Sequence, residues 1–532
     1  MTNFKYYLKR CFFLFCCVLL ETILAVVYYW VKKKTIPPIR NSLLLKSATT
    51  LAEEIREGKL KGEDVIQAYV DRILEVNPII NAVVQDNFEE ALREAKEVDT
   101  FIESGEFSLK ELKEEKPLLG VPFTVKCSFS VKGFYHTAGS LLFKDVIGTE
   151  DAPCVALLKK AGGIFLATTN CPEFACSIET ANYLHGRTCN PYDTTKTCGG
   201  SSGGEAALIA AAGSVIGLGS DIYGSNRIPA SNCSTFGCKP TRGLTSLDGM
   251  LPKRMASVDD YLSTGPLCRY SEDLATMLNV LSMSKKNLCL LPQVKLKKLK
   301  VYYQTHLKYA WCVNTESEVA QAVRKAALYF KQAYDAEIKE VDVLLFNKSN
   351  AITLHLFRKG IDESKFIEHV TDGRVKELHK VSEFIKIILG KSQFTLASFI
   401  ILSVSYNWIF YSEKDIALHE KILKDLLREF ENLLDENAIF LCPTAPTTAF
   451  YHYQMYTHYY SAFWTGVFNL VGFPATQCPM GLSQQNLPVG IQIAGCKGND
   501  ALTIACANEL EKTFRGWIPP QQNRKCQERK TK

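Results

Sequence analysis

The sequence predicts an α/β fold, on three observations. Two segments around residue 60 carry apolar residues at helical spacing, and a segment around residue 123 alternates in the manner of a strand. Later segments continue to mix short apolar strands with helices, and the sequence has no internal repeat. With 47% apolar, 11% aromatic and 22% charged residues, the 532-residue chain is too hydrophobic for a disordered protein.

The first element is an apolar segment from Cys11 to Trp30, CFFLFCCVLLETILAVVYYW. Twenty apolar residues are about the length that crosses a bilayer core. Glu21, its only charge, costs about 2.5–3.5 kcal/mol near the middle, which the other residues can offset. A signal peptide would have a shorter apolar core and a small-residue cleavage site, which is missing before Lys32–Lys34. Residues 1–34 are therefore predicted to be a single membrane anchor, and basic residues on both flanks leave its orientation open.

A short linker and two helices are predicted after the anchor. The linker is assigned to residues 35–44, which begin with TIPPIR. In SATTLAEEIREGKL, Leu51 and Ile55 lie four residues apart on one helical face, and DVIQAYVDRILEV continues the helical pattern. One large domain is predicted over residues 45–520, followed by a polar C-terminal tail over 521–532.

The next predicted element is a strand within LLGVPFTVKCSF. Val121, Phe123 and Val125 point to one side of it, and Thr124 and Lys126 point to the other. A single lysine on a strand usually belongs to a solvated face. Lys126 therefore becomes a candidate functional residue only through its context.

Charge and cysteine content exclude several classes of function. The net charge is +6, without a long basic block interleaved with aromatic residues, so no nucleic-acid partner is predicted. The nineteen cysteines include no Cys-x-x-Cys pair and no regular spacing, which argues against a disulfide framework and a zinc site. They are predicted to be reduced and to pack as small apolar residues, and no metal or cofactor is expected.

The densest cluster of glycines lies between Cys198 and Gly243, and three interpretations compete for it. The first is a phosphate-binding loop, which needs Lys and then Ser or Thr after its last glycine. Gly204 is instead followed by Glu205, an acidic residue that would repel phosphate. This interpretation fails.

The second interpretation is a nucleophile elbow, because Ser201 and Ser202 each lie in a Gly-x-Ser-x-Gly pattern. An elbow serine directly follows a buried strand, whereas the preceding run, NPYDTTKTC, consists of polar turn formers. An elbow also needs an acidic residue and then a histidine downstream, and the nine histidines are scattered without a distinctive context. An α/β-hydrolase site is therefore disfavoured.

The third interpretation treats the stretch as one unit. The loop Gly199–Gly204 opens a helix at Glu205, the strand SVIGLGSD follows, and a second tight turn, Ile222–Ser225, carries another serine. Two serines on glycine-rich turns and a lysine on a nearby strand would make a Ser–Ser–Lys site. Ser201 or Ser202 alone could equally cap the helix, and Ser202 is kept as a structural or capping residue.

The stretch resembles the signature of the amidase-signature hydrolases. GGSSGGE, GSDIYGSNRIPA and FGCKPTRG look like that signature, GVPFTVK looks like the segment that supplies the catalytic lysine, and FLCPTAP and GFPATQCPMGLSQQNLPVGIQIAG resemble the family's C-terminal half. The spacings agree, with 75 residues from Lys126 to Ser201 and 24 from Ser201 to Ser225. The resemblance covers about residues 45–517. It implies one large domain with a mixed, twisted central sheet covered by helices on both faces.

The resemblance also implies a mechanism. Ser225 would be the acyl nucleophile, Ser201, held through a cis peptide, would be the bridging serine, and Lys126 would be the general base. A lysine can serve as a base only when neutral, so its pKa must be lowered by burial or by neighbouring donors. The oxyanion would be met by backbone N–H groups of the turn formed by Ile222, Tyr223 and Gly224.

Two residues depart from the family pattern. Tyr223 stands where glycine is usual, which keeps the backbone N–H but adds a side chain where glycine allows close approach or a positive φ. Asn226 replaces a common isoleucine. A catalytically impaired, amidase-like binding protein therefore stays open as an alternative. The amidase-like subunit of a tRNA-dependent amidotransferase is another, which the anchor and the lack of a basic RNA-facing stretch disfavour.

A second apolar region, Phe384–Tyr411, is predicted to be a membrane-dipping cap or a wall of an acyl channel, with a buried helix pair as the alternative. Anchor and cap together predict a single-pass membrane enzyme, of the endomembrane system or lipid droplets. Its substrates would be lipophilic amides such as fatty-acid primary amides and N-acylethanolamines. The predicted partners are the lipid amide and the membrane, and a homodimer stays open.

Overall fold

A computed structural model of the chain describes residues 2–253, 256–283, 294, 296–343, 345–349, 352, 363–404 and 413–520. The predicted C-terminal tail, 521–532, and residues 405–411 of the second apolar region lie outside the described residues.

The first third of the chain is mainly helical. It contains α1 (Thr2–Tyr29), α2 (Ala48–Arg56), α3 (Gly62–Ile80), β1 (Val83–Asp86), α4 (Phe88–Ser104), α5 (Leu109–Glu115), β2 (Pro122–Lys126), α6 (Pro153–Lys160) and β3 (Ile164–Thr169). The predicted helical periodicity is confirmed in α2, where the Ser47 side chain caps the helix and Leu51 and Ile55 are buried.

The rest of the chain alternates strands and helices. The middle contains β4 (Ala181–Asn182), β5 (Gly186–Arg187), α7 (Gly203–Ala210), β6 (Ile216–Asp221), α8 (Arg227–Asn232), β7 (Phe236–Lys239), α9 (Ala256–Asp259), β8 (Ser263–Cys268), α10 (Glu272–Leu281), β9 (Lys300–Tyr303), α11 (Ser317–Tyr334) and β10 (Glu337–Glu340). The C-terminal part contains α12 (Glu363–Val370), α13 (Lys380–Ile388), α14 (Leu396–Val404), α15 (Glu413–Leu433), β11 (Ala438–Pro443), α16 (Met455–His458), α17 (Phe463–Val471), β12 (Ala475–Leu482), β13 (Pro488–Gly495) and α18 (Asp500–Phe514).

Eleven strands form one mixed sheet in the order β1-β3-β2-β6-β8-β7-β12-β13-β11-β9-β10, and β4 pairs with β5 separately. The third strand in this order, β2, is parallel to both of its neighbours, β3 and β6. The strands from β6 through β8, β7, β12 and β13 to β11 are successively antiparallel. The predicted α/β class and mixed central sheet are confirmed.

Helices cover both faces of this sheet, as β11 illustrates. Its Ile439 and Leu441 belong to a core that also includes side chains of α3, α11 and α18. Phe440, between them, belongs to a second core with side chains of α15 and α17. Successive strand residues point to opposite faces, so the two cores lie on opposite sides of the sheet.

The interior strand β2 is buried on both sides. Phe123 and Val125 enter the apolar core, as the alternation predicts. Thr124, on the opposite side, donates a hydrogen bond to Glu205 at 2.6 Å. The polar side of the strand therefore faces a buried polar site and not solvent.

The N-terminal helix α1 contains the apolar segment. Among the described residues, Tyr7–Tyr29 is the one helical stretch long and apolar enough to cross a membrane, with a mean hydropathy of 2.5. The described part of the second apolar region forms α13 and α14, each of 9 residues. A helix of that length is too short for a bilayer span, which needs about 20 residues.

The described cysteines form no disulfide with one another. All 17 that the structure describes are free thiols, and most of them are buried. They therefore pack as small apolar side chains.

Candidate active site

Lys126 lies at the carboxyl end of β2, an interior strand of the sheet, and is fully buried. Its Nζ donates hydrogen bonds to Ser201 Oγ at 2.7 Å and to Ser220 Oγ at 3.0 Å. In the part of the chain that the structure describes, it forms no salt bridge. The structure thus brings together two of the three predicted catalytic residues.

Burial lowers the pKa of Lys126, because an ammonium group loses its hydration in the interior. The nearby Cys171, Cys127 and Asp221 oppose this shift without reversing its direction. A lysine in this setting can exist in the neutral form. The neutral amine is the form that accepts a proton as a general base.

The first serine turn, Gly199–Gly204, is fixed by close backbone packing. The Gly200–Ser201 peptide bond is cis, as the family resemblance implies. A Cβ atom at Gly200 would lie 2.4 Å from the carbonyl oxygen of Ser177, so only glycine fits without a shift of the backbone. This packing holds Ser201 below Lys126 Nζ, where its hydroxyl accepts the hydrogen bond.

Glu205 follows this turn, in the first turn of α7, and is fully buried. The hydroxyls of Thr124 and Thr169 donate to its two carboxyl oxygens at 2.6 and 2.7 Å. Burial raises the pKa of Glu205 to about 8 despite these hydrogen bonds. Glu205, the residue that argued against a phosphate-binding loop, is therefore a buried hydrogen-bond acceptor next to the site.

The second serine turn, between β6 and α8, is fixed by a buried ion pair. Arg227 donates through Nε and Nη2 to the two carboxylate oxygens of Asp221, each at 3.0 Å, and both side chains are fully buried. The N–H groups of Gly224 and Asn226 also donate to Asp221, at 2.7 and 3.2 Å. Burial alone would raise the pKa of Asp221, but the charge and hydrogen bonds of Arg227 lower it to about 2.

Arg227 also connects this turn to the C-terminal half of the chain. Its Nη1 donates to the carbonyl of Thr465 at 3.0 Å and to Gln492 Oε1 at 2.8 Å. Its Nη2 donates to Asn469 Oδ1 at 2.7 Å. Thr465 and Asn469 lie on α17, and Gln492 lies on β13. All the guanidinium nitrogens thus have acceptors.

The three predicted oxyanion residues, Ile222, Tyr223 and Gly224, form the tip of the second turn. Ile222 and Tyr223 are half-buried, and Gly224 is buried. Gly224 has φ +112°, and a Cβ there would lie 2.1 Å from Thr465 Oγ1, so this position requires glycine. Its N–H already donates to Asp221.

Tyr223 fits because the position opposite is a glycine. Tyr223 is not among the residues with positive φ. Its ring lies against Gly466 of α17, where an added Cβ would approach ring atoms to between 2.1 and 2.6 Å. The Tyr223 ring also packs edge-on against the ring of Phe463, with a distance of 6.4 Å between the ring centroids. The departure from the family pattern is therefore matched by space on α17.

Ser225 lies next to the first turn and is half-buried. The N–H of Ser202 donates to the carbonyl of Ser225 at 3.0 Å, and Ser202 Oγ donates to Asn226 Oδ1 at 3.1 Å. Within the described residues, the Ser225 hydroxyl forms no hydrogen bond with Ser201 or Lys126. The two serine turns are thus joined through Ser202, while the predicted nucleophile, Ser225, does not contact the predicted bridging serine, Ser201, through its hydroxyl.

Ser202 corrects one expectation. It lies at the N-cap position of α7, but its side chain makes no capping hydrogen bond. The capping interpretation is wrong for Ser202, because its hydroxyl is directed to Asn226 instead. The structural interpretation of Ser202 stays a prediction.

Sequence reasoning missed three residues of this centre. Ser220 is the second acceptor of Lys126, and Asp221 and Arg227 form the buried ion pair. An acidic and a basic residue six positions apart, flanking a glycine-containing turn, were the available signal. Nothing in the local pattern distinguishes Ser220 from other serines.

An apolar cluster borders the second turn. Tyr223 packs against it together with Ala397 of α14, and its buried members are Ile178, Ile228, Phe450, Met455 and Ala462. A small cavity lies among these side chains, next to His458 and Ser461. If a carbonyl group bound at Ser225, an apolar group attached to it could pack against this cluster, which includes the nearby Tyr223 and Ile228.

Comparison with known proteins gives a consistent result. Residues 64–504 match the Amidase family. Fatty-acid amide hydrolase 2-A of Danio rerio is 38% identical over 491 residues, which cover 91% of this chain and 92% of the relative. Fatty-acid amide hydrolase 2 of Homo sapiens is 38% identical over 489 residues, with the same shares covered, 91% and 92%. An anchor before a signature domain predicts similarity to fatty-acid amide hydrolase 2, and these matches confirm it.

A solved structure shares the fold. The structure described as fatty acid amide hydrolase superposes with a TM-score of 0.72 at 20% sequence identity, and the match covers 91% of this chain and 87% of that one.

Proposed function

Because the chain belongs to the amidase family and is therefore an amide hydrolase, we propose that it is a membrane-bound serine amidohydrolase of lipophilic amides. The observation that carries the proposal is the hydrogen bond of 2.7 Å from a fully buried Lys126 to Ser201. Within the described ranges, the hydrogen-bond partners of this buried lysine are hydroxyls, which are the surroundings of a base and not of a structural cation.

The proposed reaction begins with attack of Ser225 Oγ on the amide carbonyl. Ser201 accepts the proton of Ser225 and passes its own to neutral Lys126, because a hydroxyl can accept one hydrogen bond while donating another. The tetrahedral intermediate then collapses, the C–N bond breaks, and the proton returns through Ser201 to the leaving amine. An acyl-enzyme on Ser225 remains.

Water completes the cycle by the same relay. It attacks the acyl carbonyl and gives its proton through Ser201 to Lys126, and the second tetrahedral intermediate releases the carboxylic acid while Ser225 regains its proton. Ile222 and Tyr223 are proposed as N–H donors to the oxyanion. Gly224 joins them only when it leaves its hydrogen bond to Asp221.

A long acyl chain is the proposed substrate feature. The relatives with 38% identity are fatty-acid amide hydrolases, and the cluster beside the second turn is apolar. We propose fatty-acid primary amides and N-acylethanolamines as substrates. These molecules dissolve in membranes, so an enzyme held at a membrane meets them there.

Two surfaces support membrane attachment. On α1, most of the apolar side chains face outward, since only 17% of the most apolar window is buried. On α13, Val381 is 77% exposed, and Phe384, Ile385, Ile388 and Leu389 are also exposed. We propose that α13 is the membrane-dipping part of a cap.

The test uses the full-length protein in detergent. A fluorophosphonate probe is expected to label Ser225, and the protein is expected to release fatty acid from a long-chain primary amide. Ser225→Ala should lose both signals. Labelling that appears only in a Tyr223→Gly variant would instead indicate an impaired enzyme, and glutamine hydrolysis only with added partner subunits would indicate an amidotransferase subunit.

A further inference from the structure

One face of α1 is held against the folded domain near its N-terminal end. The guanidinium of Arg10 donates to the carbonyls of Tyr309 and Ala310, each at 3.2 Å. One turn further on, the ring of Phe13 meets Trp311 edge-on with a centroid distance of 5.8 Å. All three partners lie in the connection between β9 and α11.

The same face is held near the C-terminal end of α1. The ring of Tyr28 stacks on Tyr451 with a centroid distance of 5.5 Å and an interplanar angle of 4°. The Nζ atom of Lys196 lies 3.2 Å from the centroid of Tyr451. Just after the helix, Lys33 forms a salt bridge with Asp193.

These two attachment points are about as far apart as the two sides of a membrane. Arg10 and Tyr28 are 18 residues apart, or about 27 Å along a helix, and the hydrocarbon core is about 30 Å thick. If α1 crossed the bilayer, residues 304–316 would be drawn to membrane depth beside it. Those residues form neither helix nor strand, and lipid does not tolerate exposed irregular backbone. Crossing and docking therefore exclude one another.

The distribution of side chains around α1 agrees with docking. The residues on the attached face follow one another at spacings of three or four, and they are Arg10, Phe13, Cys17, Glu21, Leu24 and Tyr28. Of these, Phe13, Cys17 and Leu24 are buried in the structure. Glu21, the only charged residue of the apolar stretch, interacts electrostatically with Lys196 of the folded domain. Glu21 is exposed, and its charge lies on the side of α1 that is nearer to Lys196.

The opposite face of α1 is apolar and exposed. Its large side chains are 49–80% exposed, and they are Phe12, Phe15, Leu19, Ile23, Val26 and Trp30. Basic residues stand at both ends of this stripe, at Lys9 and at Lys32–Lys34. An apolar stripe with cationic ends and exposed aromatic residues fits lipid acyl chains beneath a layer of headgroups.

We propose that α1 lies in the plane of the membrane, held between the folded domain on one side and the acyl chains of a single leaflet on the other. This replaces the bilayer-spanning anchor that length and hydropathy predict. The inference rests on the proposed membrane attachment and is independent of the proposed reaction.

The arrangement places the active site close to the lipid. The segment from Phe450 to Ala462 contacts α1 through Tyr451 on one side and contributes Phe450, Met455 and Ala462 to the apolar cluster on the other. One layer of chain thus separates α1 from the walls beside Ser225. A lipid amide in that leaflet has a short path to the nucleophile.

Topology is the first test, on the full-length chain reconstituted in sealed phosphatidylcholine vesicles. One protease-cleavable tag precedes Met1, and another follows Lys532. In molecules whose C-terminal tag is cut by protease added outside, the N-terminal tag is expected to be cut as well, because both ends of α1 lie on the side of the folded domain. Protection of the N-terminal tag in those molecules would overturn the proposal.

Crosslinking tests the docked face. A short bis-maleimide is expected to join Tyr28→Cys to Tyr451→Cys in vesicles, detected as a linked peptide by mass spectrometry. The matched control pairs Tyr29→Cys with Tyr451→Cys, since Tyr29 is 79% exposed and points elsewhere. The native thiols are the same in both proteins. A yield less than tenfold above that of the control would contradict docking.

Flotation tests the lipid side. The variant Phe12→Ser/Leu19→Ser/Val26→Ser is expected to lose at least tenfold in the vesicle-bound fraction, while amide hydrolysis in detergent is unchanged. Unaltered flotation would refute the lipid contact of this face. If the unsubstituted protein floated with vesicles but did not hydrolyse the amide, the result would count against the proposed reaction and not against the proposed position of α1.

Discussion

Two fully buried cations lie in the same site, and their surroundings are opposite. Arg227 is paired with Asp221 through two hydrogen bonds of 3.0 Å and has three further acceptors. Among the residues that the structure describes, Lys126 donates only to the hydroxyls of Ser201 and Ser220. The difference separates a cation that holds the site together from the one that is proposed to act as the base.

The physical reason is the range of protonation states available to each group. Arginine stays charged in proteins, so its burial requires a carboxylate and a full set of acceptors. A lysine can lose its proton when buried, and it then needs no counter-ion. Lys126, which has no counter-ion among the described residues, is therefore expected to weaken the fold slightly and to be suited to the proposed role of a base.

Replacement of Lys126 should produce the largest effect on activity. In Lys126→Met, kcat/KM for a long-chain amide is expected to fall by about 10²–10⁴, the usual contribution of a general base. The free energy of unfolding should stay equal or rise, because methionine fills the space without a polar group. Steady-state hydrolysis and thermal unfolding in detergent measure the two effects. A stability loss comparable to that of Asp221→Asn would erase the distinction between the two cations.

The pH dependence of activity sharpens the same point. Burial lowers the pKa of Lys126 below its ordinary 10.5, so kcat/KM should rise about tenfold per pH unit on the acidic limb, until Lys126 is neutral. Stability should rise in the same direction, because between the lowered pKa and 10.5 the unfolded chain binds more protons. A pH–rate profile and unfolding at several pH values check this. The acidic limb of the pH–rate profile is predicted from Lys126 and not from Arg227.

Removal of the partner of Arg227 should produce the largest effect on stability. Asp221→Asn leaves a buried guanidinium without its carboxylate, and the expected loss is about 3–5 kcal/mol in the free energy of unfolding. It also weakens the acceptors of the Gly224 and Asn226 N–H groups, so activity should fall with it. Denaturant unfolding in detergent gives the measurement.

The control for this prediction removes both charges. Asp221→Asn/Arg227→Met should recover part of the lost stability, because the uncompensated charge is gone. It should not recover the activity, since the second turn has lost its organising carboxylate. If Asp221→Asn alone costs less than about 1 kcal/mol, the ion pair is not what fixes the turn.

The sequence predicted the local elements of the site better than its long-range connections. The strands β2 and β6 and the helix α7 follow from short-range patterns, and they are present, although α7 begins at Gly203 and not at the predicted Glu205. The predicted catalytic roles of Lys126 and Ser201 followed only from the family resemblance, because a lone lysine on a strand carries no local signal.

The long-range connections have a physical reason for being hidden. The acceptors of Arg227 on Thr465 and Gln492 are 238 and 265 residues away in sequence, so no local periodicity reveals them. For α1, the uniform hydropathy concealed the face marked by Arg10, Glu21 and Tyr28. What distinguishes a docked helix from a spanning one is the surface of the domain opposite, which its own sequence does not contain.

A loss of stability of intermediate size is expected from a substitution at the contact between Tyr223 and α17, the helix that also supplies acceptors to Arg227. In Gly466→Ala, the added Cβ would lie 2.1 Å from the Tyr223 ring, and overpacking of this kind costs about 1–3 kcal/mol. Tyr223→Gly/Gly466→Ala should recover the stability, which unfolding measurements on the single and double variants would show. Equal losses in Gly466→Ala with and without Tyr223 would mean that the two residues are not matched.

The smallest effect on stability and activity is expected from loss of the hydrogen bond between Ser202 and Asn226. Ser202 lies in the turn that faces Lys126, and Asn226 precedes Arg227, so their hydrogen bond of 3.1 Å connects the two halves of the site. Ser202→Ala should cost about 1 kcal/mol of stability and reduce kcat/KM less than tenfold, because the backbone bond from Ser202 to Ser225 remains. A double-mutant cycle with Asn226→Ala isolates the pairwise part. A coupling energy near zero would mean that Arg227 and Lys126 are positioned independently. A coupling energy of about 0.5 kcal/mol or more would mean that the turn before Arg227 helps to place Ser201, the serine that accepts the hydrogen bond of Lys126.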